Sequence, residues 1–262
     1  MSSRSRRAAL QQHSASRRWE DLARPLGLRI DPLPTVSVLL CTNRPPQLRH
    51  ALEQVRRQTY TPCELVLVLH GDDFPADAEE QVARVLTIPY RVVRAPASLK
   101  YGAALNRGVA VASGNLITKM DDDDWYGREH LWDLVLALDY SGADLVGKLH
   151  PGFVYFTGLD ITVRRRVGRP ETLGTGISGG TMMLRRRDLE AVGGYRDGWC
   201  DDQGLISDVE GDGGRVYQTH HHGYIYQRRG AGHTFDAGDD ITQYLPLSGF
   251  QARGLAREVA DV

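Results

Sequence analysis

Cysteine is scarce in this chain, and its three copies, Cys41, Cys63 and Cys200, show no paired spacing. Such a set excludes a disulfide framework and a cysteine zinc site, and it fits reduced thiols in a cytoplasmic protein. Net charge is almost absent: the formal value is -1. That balance excludes a global attraction to nucleic acid or to an anionic membrane. No apolar run approaches the roughly 18 residues needed to span a bilayer, so no transmembrane segment is expected. The N-terminus is rich in arginine but has no apolar stretch behind it, which is not the pattern of a secretory signal. Lysine is rare too. Of 32 basic residues only Lys100, Lys119 and Lys148 are lysine, a bias that points to a GC-rich genome and to no function. Internal repeats and low-complexity tracts are also lacking. What is present is a composition 41% hydrophobic and 25% charged over 262 residues. Those are the proportions and length of a soluble protein with one large α/β domain and extensions.

Residues 1–34 carry Arg4, Arg6, Arg7, Arg17, Arg18 and Arg24 among Ser, Gln and Ala, with a possible helix from about Ser14 to Leu26. Pro25, Pro32 and Pro34 mark this stretch as a basic extension or linker, a route to a fused or partner domain. From Val36 the pattern alternates. Val36–Leu40 and Glu64–Leu69 are continuous apolar strands around a helix carrying Leu48, Leu52 and Val55. That is a βαβ unit, hence parallel strands with a right-handed crossover. A helix over Ala78–Leu86, a strand over Tyr90–Arg94 and a helix over Gly102–Ala112 follow, with Gly114 expected as its C-cap. Beyond a helix holding Leu131, Leu134, Val135 and Leu138, the pattern changes. Asp144–Leu149, Phe153–Phe156 and Asp160–Arg164 read as strands with no helices between them. The expected fold is α/β, with a mixed, mostly parallel central sheet and helices on both faces. Its domain spans 35–236, and residues 237–262 form a weakly patterned tail.

The strongest signal lies at Asn115–Tyr126, where an apolar run ends in Asp121, Asp122, Asp123 and Asp124, then Trp125 and Tyr126. Four carboxylates just past a strand's C-terminal end lie where open α/β sheets bind ligands. Their charges repel, and a hard cation held through oxygen, Mg²⁺ or Mn²⁺ with phosphate oxygens completing its shell, relieves them. In an extended segment Asp121 and Asp123 would share one side. A solvated acidic turn is the plainer alternative.

The ordered set of motifs resembles the nucleotide-sugar glycosyltransferases of the GT-A fold, particularly glycosyltransferase family 2. The set begins with Val36-Ser-Val-Leu-Leu-Cys-Thr-Asn-Arg-Pro, Gln58-Thr-Tyr and Glu64-Leu-Val-Leu-Val. It continues with Leu105-Asn-Arg-Gly, Ala112-Ser-Gly and Met120-Asp-Asp-Asp-Asp-Trp-Tyr. It closes with Gly179-Gly-Thr-Met-Met-Leu, Val192-Gly-Gly-Tyr, Asp201-Asp202 and His233. The resemblance covers roughly Thr35 to Phe235.

The resemblance implies a metal-dependent, inverting transfer of a sugar from a nucleoside-diphosphate sugar to an acceptor hydroxyl. It implies Asp121 and Asp123 as ligands of Mn²⁺ or Mg²⁺, with Asp123 the direct one, and His233 as a third. Asp122 would contact the ribose. Asp202, or its neighbour Asp201, would be the general base, although aspartates at that point equally suit helix N-caps. Thr42, Asn43 and Arg44 stand where the family meets base and ribose. His70 replaces an aspartate that often reads the base edge, which leaves the base unnamed. Lys100, before a helix, is placed to meet a phosphate or to face solvent. Gly179 and Gly180 would let backbone approach the donor sugar. The acceptor side is expected toward Trp199–Asp202. His220, His221 and His222 are read as structural or acceptor-side, since neighbours on a strand face opposite ways. Two other functions fit parts of the pattern. A sugar nucleotidyltransferase would need a glycine-rich phosphate loop after the first strand, and Cys41–Pro46 has no glycine. A non-catalytic nucleotide- or glycan-binding module would bind without turnover. The acceptor and the donor sugar are not legible.

Overall fold

The structure is a computed structural model that describes residues 3–150, 152–165, 168–197, 201–229 and 248–260. The alternating half forms as its spacing requires. Strands β1 (Val36–Thr42), β2 (Cys63–His70), β3 (Tyr90–Ala95) and β4 (Leu116–Lys119) are joined by α3 (Leu48–Arg56), α4 (Ala78–Val85) and α5 (Tyr101–Val111). Two helices precede it, α1 (Ser3–His13) and α2 (Ala15–Ala23). After it come β5 (Trp125–Tyr126), α6 (His130–Ser141), β6 (Leu145–Lys148), β7 (Phe153–Phe156), β8 (Ile161–Arg165) and β9 (Thr172–Leu173). A 3₁₀ turn at Gly179–Thr181 leads into β10 (Met183–Arg185) and α7 (Arg186–Ala191). The chain then runs through α8 (Asp201–Gly211), β11 (Val216–Thr219), β12 (Tyr224–Arg228), β13 (Ser248–Arg253) and α9 (Arg257–Ala260).

The strands make two sheets. The larger has the order β3-β2-β1-β4-β10-β6-β11-β9. Its first four strands are parallel, β10 runs antiparallel to both neighbours, and β11 returns parallel to β6. This is the mixed, mostly parallel sheet expected. Both faces are buried, which is why β1 and β2 read as continuous apolar runs. One face packs Val38, Leu40, Leu65 and Leu67 against α3, α4 and α6. The other packs Leu39, Val66, Val68 and Ile117 against α5, α7 and α8. The smaller sheet, β13-β8-β7-β12-β5, flanks the turn after β4.

Three local expectations change. Gly114 is not a helix cap: α5 closes at Ala112. Gly114 is small because the chain passes β1 closely there, and a Cβ would lie 2.6 Å from the Ser37 amide nitrogen. The tail is also more than a tail. Residues 248–253 pair antiparallel with β8, and Ala256 is buried behind them. Finally, the basic leader is more than a linker where it is helical. Arg7 is buried, its Nε 2.8 Å from Asp133 Oδ1 on α6. Arg6 pairs with Glu171 and lies over the Tyr140 ring. Proline and arginine content alone cannot distinguish a solvated leader from one whose guanidiniums find buried carboxylates.

The Asp133 carboxylate gathers a buried polar group. Lys148 Nζ lies 3.0 Å from it and donates to the His222 carbonyl at 2.6 Å. His220 Nε2 is 3.7 Å from Asp133. Burial opposes the charge on Asp133, but Lys148, His220 and Arg7 hold it well below the usual carboxylate range. Burial and the Lys148 charge pull His220 down to about 3 and His130 well below its usual value, against the opposing pull of Asp133.

Two outcomes follow. His130 and His220 stay neutral when folded but protonate near pH 6.5 when unfolded. The unfolded chain then binds more protons as pH falls, and stability drops from about pH 6.5 toward about pH 4, by at most about 1.4 kcal/mol per pH unit per histidine. Thermal unfolding midpoints at pH 7.5, 6 and 5 measure this. Arg7→Ala leaves Asp133 with fewer partners and lowers stability by about 1–3 kcal/mol, read from urea denaturation.

Candidate active site

The acidic cluster sits past the C-terminal end of β4, at the edge of the large sheet where β1 also ends. It is not an extended segment. Residues 122–124 form a bend, so strand alternation does not align Asp121 with Asp123. Each carboxylate instead meets a different partner. Asp122 accepts from the Thr42 hydroxyl and from the Arg44 guanidinium, whose Nε is 3.1 Å away. Arg44 Nη1 reaches Asp123 at 2.9 Å. The Arg44 amide in turn donates to Thr42 Oγ1 at 3.0 Å. Thr42 and Arg44 are thus joined to the cluster, while Asn43 between them is exposed.

Asp124 is fully buried and belongs to the fold. It accepts from the Tyr224 hydroxyl and, at 2.9 Å, from the Gln227 amide, fastening β12. Burial, with Asp123 and Asp121 beside it, pushes Asp124 well above the usual carboxylate range. Gln227 Nε2 also donates to the Asp123 carbonyl at 2.8 Å, and His50 Nε2 meets the Asp124 carbonyl at 2.8 Å.

Asp121 meets the glycine turn, Tyr126 and Lys119. Its amide donates to the Tyr126 oxygen at 2.8 Å, and the Tyr126 hydroxyl donates to the Gly180 carbonyl at 2.8 Å. Burial and the nearby aspartates hold that phenol well above its usual value, so it keeps its proton. A Cβ on Gly180 would lie 2.4 Å from Asp121 Oδ2 and 2.8 Å from the Tyr126 oxygen. A Cβ on Gly179 would lie 1.6 Å from Asp202 Oδ2. The two glycines therefore admit two carboxylates from separate motifs against one turn. Lys119 joins them from the other side: Nζ is 2.9 Å from Asp202 Oδ1 and 3.6 Å from Asp121 Oδ1.

The remaining candidates are scattered. His70 ends β2, and its Nε2 lies 2.9 Å from the Leu99 carbonyl. A carbonyl can only accept, so Nε2 donates in this contact. Lys100 is exposed at the N-cap of α5, and the Asp197 carboxylate already accepts from the Ala103 amide at 2.7 Å. Asp201 lies in the first turn of α8 beside Asp202. His233, Trp199 and Cys200 lie outside the described residues. Among the described residues no group of three His, Cys, Asp or Glu side chains is gathered for a metal. Asp121 and Asp123 remain as hard oxygen donors, and Lys119 and Arg44 place positive charge beside them. That set fits an ion carried on one or two carboxylates and otherwise on substrate phosphates, a habit of Mg²⁺.

Lys119 and Gln227 lie outside the sequence motifs, and Tyr126 closes one of them without a role of its own. Lys119 alone carried a signal: a lysine, beside the acidic run, in a chain that otherwise prefers arginine.

Comparison with known proteins identifies the family and the fold. The sequence pattern described as Glycosyl transferase family 2 matches residues 37–193, well over half of the chain. The uncharacterized glycosyltransferase YwdF of Bacillus subtilis (strain 168) is 35% identical over 116 residues, covering 42% of this chain. The match spans only 40% of that relative's length. Among solved structures, the mannosyltransferase PcManGT from Pyrobaculum calidifontis, in complex with GDP-Man and Mn²⁺, superposes with a TM-score of 0.57 at 17% identity. That match covers 86% of this chain and 68% of that one. S. aureus TarS 1–349 in complex with UDP-GlcNAc gives 0.59 at 16% identity, over 81% and 64%. At these identities the likeness is one of fold, the GT-A fold.

The glycine turn separates two outcomes. Gly180→Ala presses on a tyrosine fixed on both sides and costs about 1–3 kcal/mol. Gly179→Ala presses only on the end of Asp202, which is part-exposed and swings outward at the loss of its Lys119 contact, so it costs about 0.5–1.5 kcal/mol. Denaturant unfolding of both variants checks the contrast.

Proposed function

Because the chain belongs to glycosyl transferase family 2, we propose that it transfers a sugar from a nucleoside-diphosphate sugar to an acceptor hydroxyl, with metal assistance and inversion at the anomeric carbon. The observation that carries this is the meeting of Asp202 and Asp121, from motifs about eighty positions apart, across Lys119 and against Gly179–Gly180. A proton acceptor and a diphosphate-binding carboxylate need that proximity in a single displacement.

Asp121 and Asp123 are the residues that would hold Mn²⁺ or Mg²⁺. When bound, the ion supplies Lewis-acid neutralisation of charge on the departing diphosphate. The fold shared with a protein bound to GDP-Man and Mn²⁺ supports this assignment. Asp122, oriented by Thr42 and Arg44, faces the nucleotide side. When its ring is neutral, His70 offers Nδ1 as an acceptor for a base N–H, the polarity a carboxylate would offer. Asp202 takes the proton from the acceptor hydroxyl as its oxygen attacks the anomeric carbon. A base on the face opposite the leaving group gives inversion. Described helices are all too short or too polar to cross a membrane, and a route to a partner domain through residues 1–34 stays part of this proposal.

The test is release of nucleoside diphosphate from a panel of UDP-, GDP- and TDP-sugars with Mn²⁺, Mg²⁺ or chelator, acceptor-free and with cell extract as acceptor source. Release from one donor, lost with chelator and in Asp123→Asn, is expected. Asp202→Asn lowers kcat by about 10²–10⁴-fold with donor KM nearly unchanged. Metal-dependent binding of a nucleotide sugar without release from any donor would instead identify a binding module.

A further inference from the structure

The roles above leave one buried cation of the site unused. Lys119 is the last residue of β4, and strand alternation turns it, like Ile117, onto the sheet face covered by α5 and α8. Its side chain is 4% exposed. Three elements converge on its ammonium. Asp202 Oδ1 of α8 is 2.9 Å away, Asp121 Oδ1 of the acidic bend 3.6 Å away, and the centre of the Tyr101 ring of α5 5.3 Å away. On the far side, Gly179 leaves no room for a side chain against Asp202 Oδ2. The Asp202 carboxylate is thus held between an ammonium and a bare stretch of backbone. A compact charge with rotatable donors can serve two carboxylates from different directions, which a planar guanidinium fork does poorly in a closed space.

We propose that Lys119 is a positioning residue that fixes the Asp202 carboxylate for proton abstraction and keeps it in register with Asp121. This rests on the glycosyl-transfer reading, in which Asp202 is the base. In that step the acceptor oxygen bonds to the anomeric carbon and its proton goes to Asp202. The bond from that carbon to the diphosphate oxygen breaks, and its electron pair leaves with the diphosphate. Lys119 neither gives nor takes a proton. Its contribution is geometric, and a displacement of about 1 Å at a reacting group costs about 10²-fold in rate.

The experiment uses the full chain with Lys119→Gln, Lys119→Arg, Asp202→Asn and the Lys119→Gln/Asp202→Asn double variant. Turnover with the active donor is measured beside calorimetric binding of the corresponding nucleoside diphosphate with Mn²⁺, and thermal unfolding confirms that each variant is folded. Lys119→Gln is expected to lose about 30- to 100-fold in kcat, with donor KM and nucleotide affinity within about threefold. Lys119→Arg, which keeps the charge, recovers part of that loss. In the Asp202→Asn background, adding Lys119→Gln costs less than about twofold, because two residues acting as one unit are not additive. Full kcat in Lys119→Gln, or the same loss in both backgrounds, would overturn the inference. A loss carried by donor affinity would overturn it too, placing Lys119 with Asp121 instead. A wild type that turns over no donor sinks the transfer reading and this inference together, and that outcome is recognised without any variant. If Lys119→Gln does not fold, Lys119→Arg against Asp202→Asn carries the same comparison, since both keep hydrogen-bonding capacity in the pocket.

Discussion

Four adjacent carboxylates at the end of one strand are the constraint from which the rest of this structure follows. Two like charges about 4 Å apart repel by about 4 kcal/mol at an effective dielectric near 20. A run of four cannot be buried ionised without separate relief for each. The chain supplies that relief from four directions. Arg44 and Thr42 take Asp122, and Arg44 takes Asp123. Lys119 attends the Asp121 carboxylate, while the Tyr126 oxygen accepts from the Asp121 backbone amide. Asp124 is buried against Tyr224 and Gln227, pushed toward its neutral form. Bending of the segment, instead of extension, is what lets neighbouring side chains point to different partners.

Each partner also locates an element. Arg44 and Thr42 tie the end of β1 to the bend. Tyr224 and Gln227 lie on β12, so Asp124 fastens the smaller sheet to the larger. Tyr126 carries the connection to the Gly180 carbonyl and sets the glycine turn over Asp121. Function and fold are divided within one run of identical residues: Asp124 is given to structure, and Asp121 to Asp123 keep carboxylates that cations already attend. The proposed diphosphate site would therefore come with internal counter-charges, and in that proposal ligand binding is an exchange of partners.

The alternating half of the fold was legible because its signal is local. Continuous apolar strands, helical spacing and short loops over Val36–Lys119 fix a parallel sheet without reference to anything distant. The location of the acidic run past β4 was legible for the same reason. Its internal geometry was not, because it depends on Arg44, Tyr126 and Gln227, whose meeting with it is set by tertiary contact. Gly114 misled in a similar way: a glycine after a helix suggests a cap, whereas the demand here comes from the Ser37 backbone across the sheet. The strand at Ser248–Arg253 lacks alternation strong enough to declare itself, and its place is given by β8. The leader's arginines carried no sign of which one meets a buried carboxylate.

The two buried lysines bear on why the glycine turn sits where it does. Strands β4 and β6 flank β10 in the large sheet, and each ends in a lysine. Residues 178–181 are suspended between those two ends. The Ser178 amide donates to the Lys148 carbonyl at 2.9 Å, and the Lys148 amide donates to Thr181 Oγ1 at 2.9 Å. On the β4 side, Lys119 grips the carboxylate that rests against Gly179. Lys148 sends its own ammonium to Asp133, the carboxylate that also receives Arg7 of α1. In a chain that otherwise uses arginine as its cation, lysine persists at both strand ends where the space is closed on every side. A guanidinium would need a wider cavity and a planar partner. Each compact ammonium meets its carboxylate at a strand end, and the glycines between the two ends leave the Asp202 and Asp121 carboxylates room to reach the turn.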